Sequence, residues 1–519
     1  MKDLFVIILL SLEYRFGEKE KAMFNFEKIS TTRFYTAPTI ERVVEFSPPD
    51  VDMSNVAKIL SLAVDAKCVG VESGDGYAQI NGRTNFRLVY LDKDGEVKGV
   101  DYNADFTLKA DGEFEDGDNV QCDIIVTESD VEAADTLTLT AVLEIVASTT
   151  KRDEIEMLTS ADDCCVDQKE VYIPSLIGSK SVVSSFDDDK NVGAQIDSVL
   201  GLSAVCVTKQ SLAIDGGASV KATLFARVTF TQDGEIKTQD FAIPVEEELS
   251  VDGARSSDAV KAHLVVRSAK VVLQGVTDDN VIRLEGEISI RVTIMRCETR
   301  KIVDSVFMLT NEVDLERKSV DLKCFDGCGY FVQGVSGTAM LSDNKPRAIS
   351  VVALPYARCY TTNSYVTEDN RIVAEGVVNT DIIYTDENGY NSVRAEVPFS
   401  VSVASEIPFS KHVTVICAVQ NIFATVRKDR EFDIVIDVAI TACGFSPASI
   451  DYISSVTLGK EKEQNTSALS VYVTSDQDTL LDVCQALTAM PDDVLAQNPD
   501  LVFPLKGGEK LIYFRQKMR

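Results

Sequence analysis

"VAEGVVNTDIIYTDENGYNSVRAEVPFSVSV", Val373 to Val403, decides the fold of this chain. A β-rich run ends in an aromatic, Tyr384, and an acidic turn closes on Gly389. A second β-rich run then leads into "VPF". Asn-Gly between two such runs is a strong hairpin signal, because the turn needs positive φ and these residues tolerate it. The same grammar occurs twice earlier. "INGRTNFRLVYLDKDGEVKGVDYNADFTL" (Ile80 to Leu108) turns at Gly95 after Tyr90. "VKATLFARVTFTQDGEIKTQDFAIPVEEEL" (Val220 to Leu249) turns at Gly234 after Phe230. More than a hundred residues separate successive turns, so the repeating unit is a domain and not a solenoid rung.

Each copy is accompanied by a second alternating stretch. "EISIRVTIM" places Ile288, Ile290, Val292 and Ile294 on one face, with Glu287, Ser289, Arg291 and Thr293 on the other. "EFDIVIDVAIT" does the same with Phe432, Ile434, Ile436, Val438 and Ile440, and "TLTLTAVLEI" with Leu137, Leu139, Ala141, Leu143 and Ile145. Period two over this length means half-buried antiparallel strands. The expectation is a mainly β chain of three tandem β-sandwich-like modules, 30–158, 166–309 and 310–446. An N-terminal extension (1–29) precedes them. A polar, Ser-rich linker (447–469) leads to a small C-terminal unit at 470–515.

That unit reads as βααβ. "SVYVT" is a short strand. Asp478 or Thr479 caps a helix whose stripe is Leu480, Val483, Cys484 and Leu487. Pro491 fits the first position of a second helix, with Asp492 and Asp493 in its first turn, and Asn498-Pro499 ends it. Gly507-Gly508 turns the chain into "EKLIYF", a second strand. A unit this small needs both helices packed on its two-stranded sheet.

The net charge of −31 repels nucleic acid and anionic membranes and suits basic protein partners. There is no Trp for sugar stacking. The apolar run Leu4 to Leu12 is too short to span a bilayer and lacks a cleavage site, and Met23 offers a second possible start. The twelve cysteines sit mostly singly in apolar runs (Cys68, Cys206, Cys359, Cys417, Cys443), which reads as reduced, buried thiols of a cytoplasmic protein. Cys164-Cys165 and Cys324-Phe-Asp-Gly-Cys328 are the exceptions, and neither has zinc spacing with a partner pair. No metal and no cofactor is expected.

"LDKDGEV" around Asp92, Asp94 and Gly95 faintly resembles a calcium loop, but a hairpin turn accounts for all three copies. "IGSKS" at Gly178 to Ser181 lacks the spacing of a phosphate loop. His263 and His412 lie in strand-like runs in comparable parts of two modules, which reads as ordinary strand histidines and not a catalytic pair. The chain is expected not to be an enzyme. A hydrolase would have to use two-carboxylate chemistry, which the dearth of histidines does not exclude, with its site hidden in repeated β-module.

The strand pattern "KVVLQGV…LEGEISIRVTI" with "RIVAEGVVNTDIIYTDENG…AEVPFSV" resembles the SPOCS domain of endospore-forming bacteria. The first module departs from it: "NGRTNF" replaces "EGVVN", and no "PF" follows its hairpin. The C-terminal unit resembles a LysM domain through "DTL" at Asp478 to Leu480, "NPDL" at Asn498 to Leu501 and the "PLKGGEKL" run from Pro504. The LysM resemblance implies a groove for N-acetylglucosamine chains formed by Asp478, Thr479, Leu480, Leu481, Asn498, Pro499, Asp500 and Leu501. The family's usual glycine and aromatic are here Gln477 and Leu481, so the resemblance carries the fold better than the sugar binding. Three SPOCS-like modules before a LysM-like end is the arrangement of the SipL-type spore morphogenesis family. That resemblance implies a non-enzymatic scaffold in the mother-cell cytoplasm at the forespore surface. The implied partner is the coat-basement ATPase, stage IV sporulation protein A, with other coat proteins. The alternative is a peptidoglycan-binding protein of the cell wall.

Overall fold

The computed structural model describes residues 24–48, 55–133, 136–273, 280–404, 412–463 and 467–515. The apolar run Leu4 to Leu12 and Met23 lie outside them. The architecture is mainly β, and all strand pairs are antiparallel. In chain order the first group is β1 (Phe24–Thr36), β2 (Ile40–Phe46), β3 (Val56–Gly74), β4 (Tyr77–Asp92), β5 (Val97–Asp111), β6 (Val120–Ala133) and β7 (Leu137–Ala161). The second is β8 (Cys165–Asn191), β9 (Ser198–Ile214), β10 (Gly217–Gln232), β11 (Glu235–Ser250), β12 (Ala259–Val272) and β13 (Val281–Phe307). The third is β14 (Asn311–Met340), β15 (Ser350–Ala353), β16 (Ala357–Val366), β17 (Arg371–Asp386), β18 (Gly389–Ala404), β19 (His412–Lys428) and β20 (Glu431–Glu461). The chain ends in β21 (Leu469–Val473), α1 (Leu480–Leu487), α2 (Pro491–Gln497) and β22 (Lys510–Phe514).

Each of the first three groups contributes two sheets. The predicted hairpins are β4–β5, β10–β11 and β17–β18, joined on their other side by β3, β9 and β16. The alternating stretches fall in β7, β13 and β20, flanked by β6, β12 and β19. One apolar core lies between the two sheets of each group: Ile80, Phe86 and Leu88 meet Leu139, Leu143 and Ile145 in the first. Val220, Leu224 and Val228 meet Ile288, Ile290 and Val292 in the second, and Ile372, Val378 and Tyr384 meet Phe432, Ile434 and Ile436 in the third.

Steric fit recurs along with topology. Gly82 and Gly376 stand eight residues before the turn aromatic in their strands, directly across from Phe106 and Phe399. A Cβ on Gly82 would lie 2.2 Å from the Phe106 ring, and one on Gly376 2.6 Å from the Phe399 ring. Each ring covers its glycine, the cross-strand compensation that a bare backbone invites. In the second group the pair becomes Ala222 opposite Val245, a larger residue against a smaller one. The first group therefore does carry its aromatic, as Phe106.

Beyond the cores, β7, β13 and β20 run on as long ribbons, each with one partner: β1, β8 and β14. The ribbons pack on one another through Ile29, Ile155, Met157, Val171, Ile302, Leu322 and Ile450. A second cluster joins Phe24, Leu158, Val303, Val306 and Ile453. Two expected boundaries move as a result. The polar stretch 447–469 is not a linker over most of its length: β20 continues through it to Glu461, paired with β14. Its alternation of small polar residues with Ile450 and Ile453 suits a ribbon with one face buried. Residues 24–29 belong to β1 and not to an extension.

The three groups also touch in a cycle. Gly99 of the first approaches the Leu200 backbone of the second so closely that a Cβ would lie 2.2 Å from its carbonyl oxygen. Arg227 of the second donates to the carbonyls of Leu354 and Ile422 in the third, at 3.3 and 3.4 Å. Asp381 of the third accepts from Ser61 Oγ (3.0 Å) and Leu62 N–H (3.1 Å) in the first. A small core of Leu60, Val89, Leu200, Ile236, Ala353 and Ile383 draws one pair from each group. Cys443, expected as a buried reduced thiol, is joined to Cys328 by a disulfide between directly opposed residues of β14 and β20.

Candidate functional site

The C-terminal unit is seated on the ribbons. Leu481, Val483, Cys484 and Leu487 of α1 share a core with Val494, Leu505, Leu511 and Tyr513, and with Cys165 and Phe307 at the near ends of β8 and β13. Lys462 continues this seam, donating to the Met308 carbonyl (3.1 Å) and lying 4.2 Å from the Phe307 ring centre.

Local chemistry explains the helices. Thr479 caps α1: its hydroxyl accepts from Asp482 N–H (3.3 Å) and Thr479 N–H donates to the Asp482 carboxylate (2.8 Å), a reciprocal capping box. Asp478 does different work. Its carboxylate accepts from Ser475 N–H (2.6 Å) and from the Tyr472 hydroxyl (2.7 Å), tying the loop back to β21. The Asp478 carboxylate on that hydroxyl holds the Tyr472 phenol up at about 12. Pro491 opens α2, as the sequence predicts.

The two loops flanking the helices are pinned to each other. Leu505 N–H donates to the Asp478 carbonyl and Gln477 N–H to the Leu505 carbonyl, both at 2.9 Å. Gly507 N–H donates to the Asp476 carboxylate at 2.8 Å. Gln477 holds φ at +71°, a left-handed conformation that suits glycine. The backbone thus takes a bend that glycine would favour, with a glutamine in that place.

Of the eight groove residues expected from sequence, Pro499 and Asp500 are exposed, and Asp478 and Thr479 are half-buried. Leu481 does not: it is buried in the unit's core. Leu480 and Leu501 pack half-buried against that core. Asn498 is spent on structure, its amide donating to the carbonyls of Val494 (3.0 Å) and Ile512 (3.3 Å). Gln497 extends the same device, exchanging two hydrogen bonds with the backbone of Phe514 (3.0 and 2.8 Å). Together they occupy the outer edge of β22, where another strand would otherwise pair.

What the sequence reading missed is the outer face of this small sheet. Leu469, Val471 and Val473 on β21 stand beside Ile512 and Phe514 on β22, all exposed, with Phe514 at 60%. Tyr472, Leu511 and Tyr513 point the other way, into the core. The signal was present: "LSVYV" and "KLIYF" are apolar at both alternating positions, where a strand with one wet face would alternate with polar residues.

The other sequence candidates resolve as structure. Asp92 accepts from the N–H groups of Asp94 (3.0 Å) and Glu96 (2.9 Å) and pairs with Lys98 (2.7 Å), so its carboxylate organises the hairpin turn. Gly178 to Ser181 lie inside β8, in strand register. His263 pairs with Asp123 of the first group at 2.8 Å, while His412 is exposed at the start of β19. The ribbons leave an open groove of about 550 Å³ lined by Asp153, Glu154, Glu156, Lys318, Ser319, Tyr452 and Ser454. No helix among the described residues is long and apolar enough to cross a membrane. No protein-family profile matches the chain, and no curated protein matches it.

Proposed function

We propose that this chain is a non-enzymatic scaffold of spore coat assembly, docking to the coat-basement ATPase, stage IV sporulation protein A, through its C-terminal unit. On this reading the three sheet pairs are tandem SPOCS-like sandwich modules, the last unit is a βααβ LysM-like domain, and the chain works in the mother-cell cytoplasm at the forespore surface. The observation that supports it is the exposed apolar face of Leu469, Val471, Val473, Ile512 and Phe514 on a unit seated firmly on its scaffold. Contiguous apolar surface of this kind favours burial against another protein. The outer edge of β22 is already occupied by Gln497 and Asn498, which closes that edge to strand addition.

The test is co-purification of the full chain with the purified ATPase, using V471K and F514E. Both substitutions sit on exposed positions, so the fold should survive. Loss of capture with an unchanged circular dichroism spectrum is the expected result. Capture unchanged by both substitutions, or no capture by the unaltered chain, removes this reading. The left-handed bend at Gln477 favours one rival, a cell-wall sugar groove between the pinned loops. Sedimentation of the chain with purified peptidoglycan, abolished by changes at Asp478 or Asp500 but not by V471K, would support that rival instead.

A further inference from the structure

Besides the Cys328–Cys443 disulfide, eight of the ten free cysteines stand in four thiol–thiol pairs. Cys68 faces Cys122, Cys165 faces Cys484, Cys297 faces Cys324 and Cys359 faces Cys417, the two thiols of each pair interacting directly, and in three of the pairs both thiols share one apolar core. Only Cys164 and Cys206 are left over. None of these pairs is close in sequence, and together they lie at three kinds of seam. Cys68 on β3 and Cys122 on β6 join the two sheets of the first group, and Cys359 on β16 and Cys417 on β19 join those of the third. Cys297 on β13 and Cys324 on β14 join the second group to the third. Cys165 on β8 and Cys484 on α1 join the C-terminal unit to the ribbons, in one shared core.

We propose that these four pairs are disulfide-forming sites, closed by exchange with a small disulfide of the glutathione class where the surroundings turn oxidising, so that the oxidised chain carries cross-links inside two groups, between the second and third groups, and at the last interface. Scattered buried thiols have no reason to find one another across sheets, between groups and across the last interface. A layout in which they do is the layout of cystines.

The chemistry is balanced by the oxidant. The two thiols of each pair share their protons unequally: the neighbouring thiol holds Cys68, Cys165, Cys297 and Cys417 toward the thiolate, while that same neighbour, and then burial, push Cys122, Cys484, Cys324 and Cys359 up. The thiolate attacks one sulfur of the oxidant, whose other half leaves as a thiol. The partner then loses its proton and attacks the mixed disulfide, releasing the second half as a thiol. Two S–H bonds and one S–S bond break, and one S–S bond forms in the protein. Cys297 is exposed and starts first; Cys165 lies in the dry core and closes during folding.

The experiment is refolding of the full chain in oxidised and reduced glutathione, followed by thiol counting in denaturant and non-reducing peptide mapping. The expected count falls from ten free thiols to two, and the mapped links are the four pairs. C68S, C297S, C359S and C165S should each leave one additional thiol, located at Cys122, Cys324, Cys417 and Cys484 respectively. Ten thiols persisting, glutathione adducts in place of internal links, or links through Cys164 or Cys206 would overturn the proposal. Because the mapping reads connectivity, a variant that folds poorly does not rescue it: the unaltered chain decides.

Discussion

Gln477 shows how much one residue can carry. It is held at a positive φ by loops on both sides, where a Cβ costs about 1–2 kcal/mol. Gln477→Gly should therefore stabilise the chain by up to about 1 kcal/mol, part of the gain being offset by the looser unfolded state. Urea unfolding followed at the Tyr472 and Tyr513 signals measures it, and a lowered midpoint would contradict the loop geometry. Its neighbour Thr479 works in the opposite sense. Thr479→Ala removes the capping box, with an expected cost of about 1 kcal/mol in the same measurement.

Two carboxylates at this scale titrate in opposite directions. Asp258 is buried, which pushes its carboxyl up. The Arg296 fork (2.7 and 2.9 Å) and Arg255 N–H (2.8 Å) outweigh that and hold it below the usual range. Its stabilisation is present above the unfolded value of about 3.9 and is lost as pH falls through the lower folded value. D258N should flatten that part of the acid limb of a stability-against-pH curve. Asp381 differs because burial dominates even with Arg394 at 3.2 Å, and its carboxyl is raised. Arg394→Ala strips the cation from a buried acid and should cost about 2 kcal/mol at neutral pH, the low end for such a pair because Arg394 is 35% exposed. A raised folded value favours the protonated form, so the deficit should shrink as pH is lowered toward that value. A deficit independent of pH would mean that the lost packing of Arg394, and not the charge of Asp381, sets it.

Among the elements, the long strands are where sequence and structure part most. The hairpins β4–β5, β10–β11 and β17–β18 fall where the aromatic–acidic–glycine grammar puts them, because turn chemistry and period two are local. The ribbon end of β20 also carries exposed polar positions, Ser449, Asp451 and Thr457, and composition alone reads that as a linker. Its burial is decided by the ribbons of the other two groups, which no local pattern reveals. Ile450→Ala tests the difference directly. Ile450 is 1% exposed between three ribbons, so the expected loss is about 2–4 kcal/mol by chemical unfolding, against almost none for a residue in a solvated linker.

Across the whole molecule, three similar groups close on one another in a cycle, and the contacts fall at equivalent positions. Arg87, Arg227 and Asp381 each stand three residues before the turn aromatic. Each faces an opposite charge across the hairpin: Asp101, Asp240 and Arg394. The third group reverses the sign and keeps the pair. Such a body presents its C-terminal unit from a fixed base, which suits the proposed scaffold role. The apolar face on β21 and β22 and the cysteine seams belong to this scale too, since both depend on where distant segments come to rest.

By itself the sequence determined the β class, the three hairpins, the inward faces of β7, β13 and β20, and the caps and limits of α1 and α2. All of these are set by neighbours within a few residues, through φ preference, side-chain alternation and capping hydrogen bonds. Only the tertiary structure decided that 447–461 is ribbon and that Leu481 and Asn498 serve the C-terminal unit's core and edge and not its groove. It alone brought the cysteines together in pairs and left an apolar sheet face uncovered. Those outcomes depend on which surfaces meet after the elements form. Burial is a property of the partner as much as of the residue, and the partner lies hundreds of positions away.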